Sequence, residues 1–148
     1  MLNFENAMQE VAQRFNAQIK ELSPGVFSLD IPFTLQDGTN RYQYVYGWVI
    51  KGRAKGKDCF YFNSRCGIFD PVQINTYSLL KEATYGYYST ITLTADKTAD
   101  GQPCETIIVQ ASPIAEYVSS IDELAAVIWE VAEVADIIEE RYFGGDKN

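Results

Sequence analysis

The hydrophobic residues of this chain repeat with a helical period at both ends and with a period of two across much of the middle, and that change of period restricts the fold more than any other feature. Phe4, Met8, Val11, Phe15, Ile19 and Leu22 are spaced by four, three, four, four and three residues, which lines one stripe of an amphipathic helix over residues 2–22. Ser23-Pro24-Gly25 is expected to end that helix, because proline breaks the hydrogen-bond ladder and glycine accepts left-handed angles. The period then drops to two. Residues 26–31 put Phe27, Leu29 and Ile31 on one face of a strand and Ser28 and Asp30 on the other, and Asp37-Gly38 supplies a turn. Residues 41–51 put Tyr42, Tyr44, Tyr46, Trp48 and Ile50 on one face and Gln43, Val45, Gly47 and Val49 on the other. Such a strand is expected to be central, with both faces at least half covered. After a glycine-containing connection over residues 51–57, residues 59–65 form a third strand in which Phe60 and Phe62 oppose Cys59 and Tyr61. The three strands make an antiparallel meander.

Asp70-Pro71 has the form of a cap and first turn for a short helix that carries Ile74, Tyr77, Leu79 and Leu80 and stops near Tyr85-Gly86. Residues 88–95 and 105–111 then alternate around an Ala99-Asp100-Gly101 turn, as a second hairpin does. Ser120-Ile121-Asp122-Glu123 is a capping box opening a long helix to about Tyr142, with Gly144-Gly145 beyond its end. The order is α-β-β-β-α-β-β-α, an α+β sandwich whose antiparallel sheet is covered by helices. At 148 residues the chain suits one domain spanning residues 1–148.

Composition removes whole classes of chemistry. Histidine is absent, and with it go Ser-His-Asp and Cys-His triads, histidine metal sites and imidazole acid-base catalysis. Twelve Lys+Arg against 20 Asp+Glu leave a net charge of −8, which argues against nucleic acid as a partner. Cys59, Cys66 and Cys104 are an odd number without a CxxC pair, and the first residues do not resemble a signal peptide. A reduced, cytoplasmic protein without zinc is the expectation. Glu130, Glu133 and Asp136 interrupt the most apolar segment, so nothing approaches the roughly 20 apolar residues that span a bilayer. Neither a cofactor nor a metal is expected.

The charge is unevenly placed. Eight acids between Glu116 and Glu140 against Arg141 give −7, whereas Arg41, Lys51, Arg53, Lys55, Lys57 and Arg65 against Asp58 give +5. The two regions make a strong dipole if they lie apart and neutralise each other if they meet. Residues 51–57 suggest either an anion contact or a solvated hairpin tip, and they lack the spacing of a phosphate-binding loop. Asp122, Glu133, Asp136 and Glu140 share a helix face opposite Leu124, Val127, Val131, Val134 and Ile138, as on any surface helix. Trp129 falls on the polar side of that helix, flanked by Ala125 and Ala132. It suits packing inside the fold or a homodimer interface made with those two alanines. Cys66, beside Arg65, is the one candidate nucleophile.

The element order, the Leu79-Leu80-Lys81-Glu82-Ala83 helix end followed by an aromatic-rich strand, and the acidic, alanine-rich last helix resemble the type III secretion chaperone-like fold, and within it the YbjN-like bacterial proteins. That resemblance implies a small acidic cytoplasmic protein, usually a dimer, that binds other polypeptides without catalysis. The expectation is therefore a non-catalytic, homodimeric interaction protein, chaperone-like or regulatory. It would mask an apolar segment of a partner through Tyr44, Trp48, Phe60 and Phe62 and through backbone addition at a sheet edge. The tyrosine ladder is expected to lie under a helix as core unless both end helices cover the other face, in which case it marks an interaction site. The alternative is a ligand-binding or enzymatic domain with a pocket between helix and curved sheet, lined by the tyrosines and marked by Asp30, Asp58 or Glu82 with a raised pKa.

Overall fold

The computed structural model describes residues 1–144, without the side chains of Thr84 and Tyr85, so that Gly145 of the expected helix end lies outside the described residues. Helix α1 spans Phe4–Arg14 and is capped by Asn3, which accepts the Asn6 N–H at 2.9 Å. It stops well short of Leu22. Asn16 takes a left-handed φ of 52°, and the Ala17 N–H reaches back to the Ala12 carbonyl at 2.8 Å. This is the left-handed helix stop that asparagine tolerates best after glycine. Gln18–Ser23 is therefore a strand, β1, and Pro24-Gly25 turns it into β2, Val26–Thr34. Phe27, Leu29 and Ile31 are buried on one face of β2, as their alternation predicts.

The remaining strands are β3 (Asn40–Ala54), β4 (Lys57–Ile68), β5 (Thr90–Lys97) and β6 (Pro103–Ala111). All pairs are antiparallel and the order is β1-β2-β3-β4-β6-β5. The sheet has one strand more than expected, and the second hairpin docks through β6. Helix α2 is Thr76–Lys81, capped by Asn75 through the Ser78 N–H at 3.0 Å and continued by a 3-10 turn at Glu82–Tyr85. Asp70 caps only the turn before it, accepting the Val72 N–H at 2.9 Å. Helix α3, Ile121–Phe143, starts on Ser120 and ends on Gly144 with φ 72°. The Glu123 carboxylate reaches back to the Ser119 N–H, 3.3 Å away.

All three helices lie on one face of the sheet. From α1, the Phe4 ring sits 5.1 Å from Phe60 and 6.0 Å from both Phe27 and Phe62, measured between centroids. From α3, Leu124, Val127, Val131, Val134 and Ile138 are buried in the same core, the apolar stripe that the helical spacing predicts. Gly47 makes this closure feasible, because a Cβ there would lie 2.9 Å from the Phe62 ring and 3.1 Å from the Met8 methyl group. At that position a side chain would compete with the packed core for the same volume.

The basic and acidic regions face each other. Arg41 donates to both oxygens of Asp136 at 2.8 and 2.6 Å and to Glu140 at 3.1 Å. These bonds, Asp136 first, push the guanidinium pKa up despite partial burial. Arg14 pairs with Asp122, Lys57 with Glu116, and Arg141 with Glu82 at 2.6 Å. Asp136 and Glu140 of α3 thus tie that helix to β3 through Arg41. Among the described residues no group of three potential ligands is placed to hold a metal ion, and no helix is long and apolar enough to cross a membrane.

Glu130 has a structural task of its own. Its carboxylate accepts the N–H groups of Tyr87, Tyr88 and Ser89 at 2.9, 2.7 and 2.7 Å and so anchors the segment leading into β5. Partial burial acts to raise its pKa, but the three donors outweigh it and hold the carboxyl below the ordinary value of 4.5. A group with a depressed folded-state pKa stabilises above its unfolded value and ceases to do so as pH falls through the folded one. Glu130→Gln is therefore expected to cost about 1–3 kcal/mol at neutral pH. The deficit should shrink below about pH 4.5, which urea melts of both proteins at several pH values would read.

Candidate functional site

Because the helices share one face, no described element covers the other face of the sheet. Alternation along β3 sends Gln43, Val45 and Gly47 toward the helices and Tyr42, Tyr44, Tyr46 and Trp48 away from them. Val45 is fully buried, whereas Tyr42 and Tyr44 keep 42% and 38% of their surface. The expectation that the ladder is core is corrected: a strand can be central in its sheet and still have one bare side. Cross-strand pairing extends the aromatic surface, since Trp48 stands opposite Tyr61 of β4 with ring centroids 4.8 Å apart.

A trough of about 540 Å³ runs across this face, lined by Tyr46, Trp48, Tyr61, Asn63, Arg65 and Asp96 among others. Its polar groups are held in place. The Tyr61 hydroxyl donates to Gln110 at 2.8 Å, the Thr106 hydroxyl donates to Asp96 at 2.8 Å, and Arg65 pairs with Asp96. The result is a floor of aromatic rings bordered by hydrogen-bonded polar groups, the mixture that amphipathic interaction surfaces use.

The four residues expected to bind a partner divide between the two faces. Tyr44 and Trp48 are on the open face; Phe60 and Phe62, 2% and 0% exposed, are core under α1. Their alternation with Tyr61 places them opposite the tyrosine ladder. Tyr46, half-buried, and Tyr61, 8% exposed, lie on the open side of the sheet in their stead. The dimer set is likewise corrected. Trp129 packs within the chain, 5.3 Å from the Phe15 ring and 5.0 Å from Phe33, and donates its indole N–H to Glu133 at 3.3 Å. Ala125 and Ala132 are buried beside it and Trp129 itself is partly buried, so the two alanines offer no free surface.

Cys66 is not an activated thiol: burial, and next the charge of Glu139, push its pKa up. It belongs to a buried polar cluster between β3, β4 and α3. There the Gln43 amide donates to Ser64 at 2.9 Å and to Glu139 at 3.3 Å, and the Ser64 hydroxyl donates to the Tyr44 carbonyl at 2.7 Å. Gln43 and Glu139 are each 2% exposed, and their place in apolar registers was the only sign of it in the sequence. Residues 51–57 form the tip of the β3–β4 hairpin, with Gly52 and Gly56 at φ 65° and 86°. Asp58 accepts the Gly52 N–H at 3.0 Å and pairs with Lys51 at 3.3 Å, contacts that hold its pKa below the carboxylate range.

The fold is an α+β open-faced sandwich, an antiparallel sheet with aromatic side chains on the face turned from the helices. No protein-family model and no curated protein sequence matches the chain.

Proposed function

We propose that the chain is a non-catalytic protein-binding domain, chaperone-like or regulatory, whose open aromatic face masks an apolar segment of a partner polypeptide. One observation carries the proposal: with every described helix on one side, Tyr42, Tyr44, Tyr46 and Trp48 gather on the other, above the buried Tyr61. An aromatic patch of that extent, bordered by polar groups, is the usual mark of an interaction site. An extended polypeptide suits it, because alternate side chains on β3 recur about every 6.6–6.8 Å, the spacing at which a bound extended chain presents its own. The resemblance to the type III secretion chaperone-like fold, and to YbjN-like proteins in particular, supports the same activity, since such proteins bind polypeptides without catalysis.

The ligand-pocket alternative is less well supported. The space between helices and sheet is filled by Phe4, Phe60, Phe62 and the α3 residues, the tyrosines face the other way, and Asp58 is shifted opposite to the direction a catalytic acid requires.

The experiment is retention of partners from lysate of the source organism on the tagged chain and on a Tyr46→Ala/Trp48→Ala version, read by mass spectrometry. The expected result is one polypeptide held stoichiometrically by the parent and lost, by at least about tenfold, from a variant that melts like the parent. Recovery of the chain alone, or equal retention by both, removes the proposal.

A further inference from the structure

The two edges of the sheet are not alike. The pairing of β1 with β2 shifts between Glu21 and Ser23, β1 carries Lys20 and Glu21, and it runs into Pro24. Bulge, charge and proline are the devices that keep an edge from recruiting another strand. Strand β5 has no bulge and no proline, and its charge is confined to its last two residues, Asp96 and Lys97. Its pairing with β6 runs without a shift from Thr90 to Lys97. Its first residues, Thr90, Ile91, Thr92, Leu93, Thr94 and Ala95, carry no charge and no proline. Among the described residues no strand lies beyond it. On the helix side an apolar hollow of about 350 Å³, lined by Phe69, Leu79, Leu80, Ile91 and Leu93, separates α2 from β5. Leu80 of its lining and Tyr77, one turn earlier on α2, are 68% and 69% exposed.

We infer that this edge is closed by a second copy of the chain, β5 pairing antiparallel with β5 of the other copy about a two-fold axis at Leu93. Antiparallel pairing keeps like faces together only in registers that place odd residues opposite odd ones and even opposite even ones. With the axis at Leu93, Leu93 meets its own copy, Ile91 meets Ala95 on the helix side, and Thr92 meets Thr94 on the open side. Thr90 then lies opposite Asp96, and Lys97 opposite Ser89.

Charge complementarity falls at that last pair. The Ser89 N–H is held by the Glu130 carboxylate, so Lys97 of each copy approaches Glu130 of the other, while like charges are nowhere opposed. Lys97 makes no ion pair among the described residues. Above the axis the two α2 helices bring Leu80 and Tyr77 of both copies together over the hollows, as an isologous interface requires. The open aromatic faces remain uncovered and join into one continuous surface. The inference goes beyond the proposed function, and either can fail alone.

Sedimentation velocity of the full chain at about 0.1 mM tests it, because dimer formation depends on protomer concentration. The parent is expected at twice the chain mass and Leu93→Lys, which sets two ammonium groups on the axis, as monomer. Lys97→Glu is expected to weaken association by about tenfold or more. Far-UV circular dichroism checks the fold of each, and Leu80→Lys, on an exposed helix position, serves if Leu93→Lys does not fold. A monomeric parent overturns the inference, as does a dimer that all folded variants leave intact.

Discussion

Phe62→Ala is expected to lower the unfolding free energy by about 3–5 kcal/mol, enough to remove a large share of the stability of a domain this size. The ring is fully buried, lies 6.0 Å from Phe4 and fills the volume that Gly47 leaves empty on β3. Neither neighbour can close the gap: Gly47 has no side chain to offer, and α1 is tied to the sheet by Phe4 and Met8. The lost transfer energy is therefore joined by the cost of an unfilled cavity. Urea unfolding with an unchanged slope measures it. A loss below about 1 kcal/mol would show that the ring is not the keystone between α1 and the sheet.

Trp129→Ala is expected to cost about 2–4 kcal/mol and to leave the sedimentation coefficient where it was. The indole bridges Phe15, at the end of α1, and Phe33, at the end of β2, so its removal uncouples α3 from both. It is only partly buried, which keeps the cost below that of a fully enclosed ring. A variant of parental stability and half the parental mass would instead restore the subunit interface that the helical wheel suggests for Trp129.

Much of this fold is legible in the chain because alternation and capping act over a few residues. The faces of β2 and the apolar stripe of α3 follow from such local patterns. The misread stretch is residues 15–23, where Phe15, Ile19 and Leu22 continue a helical spacing by coincidence. The stop lies in Asn16, whose left-handed backbone is an option open to asparagine in sequence and decided only by the packing of β1 on β2. Asp70-Pro71 misleads similarly, because a capped turn and a capped helix begin alike, and Asn75 is the cap that counts.

The candidate site was legible in its strand and not in its side. Alternation separates Tyr44 and Trp48 from Gln43 and Val45, and it equally separates Tyr61 from Phe60 and Phe62. Which set meets the helices depends on where α1 and α3 dock, and that is a property of the whole core. Trp129 shows the same limit, because its partners Phe15 and Phe33 are distant in sequence. So does the Arg65–Asp96 pair, which joins β4 and β5 across the intervening β6.

The central claim is that the face turned away from the helices is the one a partner covers. Hydroxyl-radical footprinting of the chain alone and with its retained partner measures this directly. The account predicts that Tyr42, Tyr44, Tyr46 and Trp48 are modified in the free chain and protected in the complex, with Phe60 and Phe62 silent in both. Protection confined to α1 or α3, with the tyrosines still reactive, would contradict it.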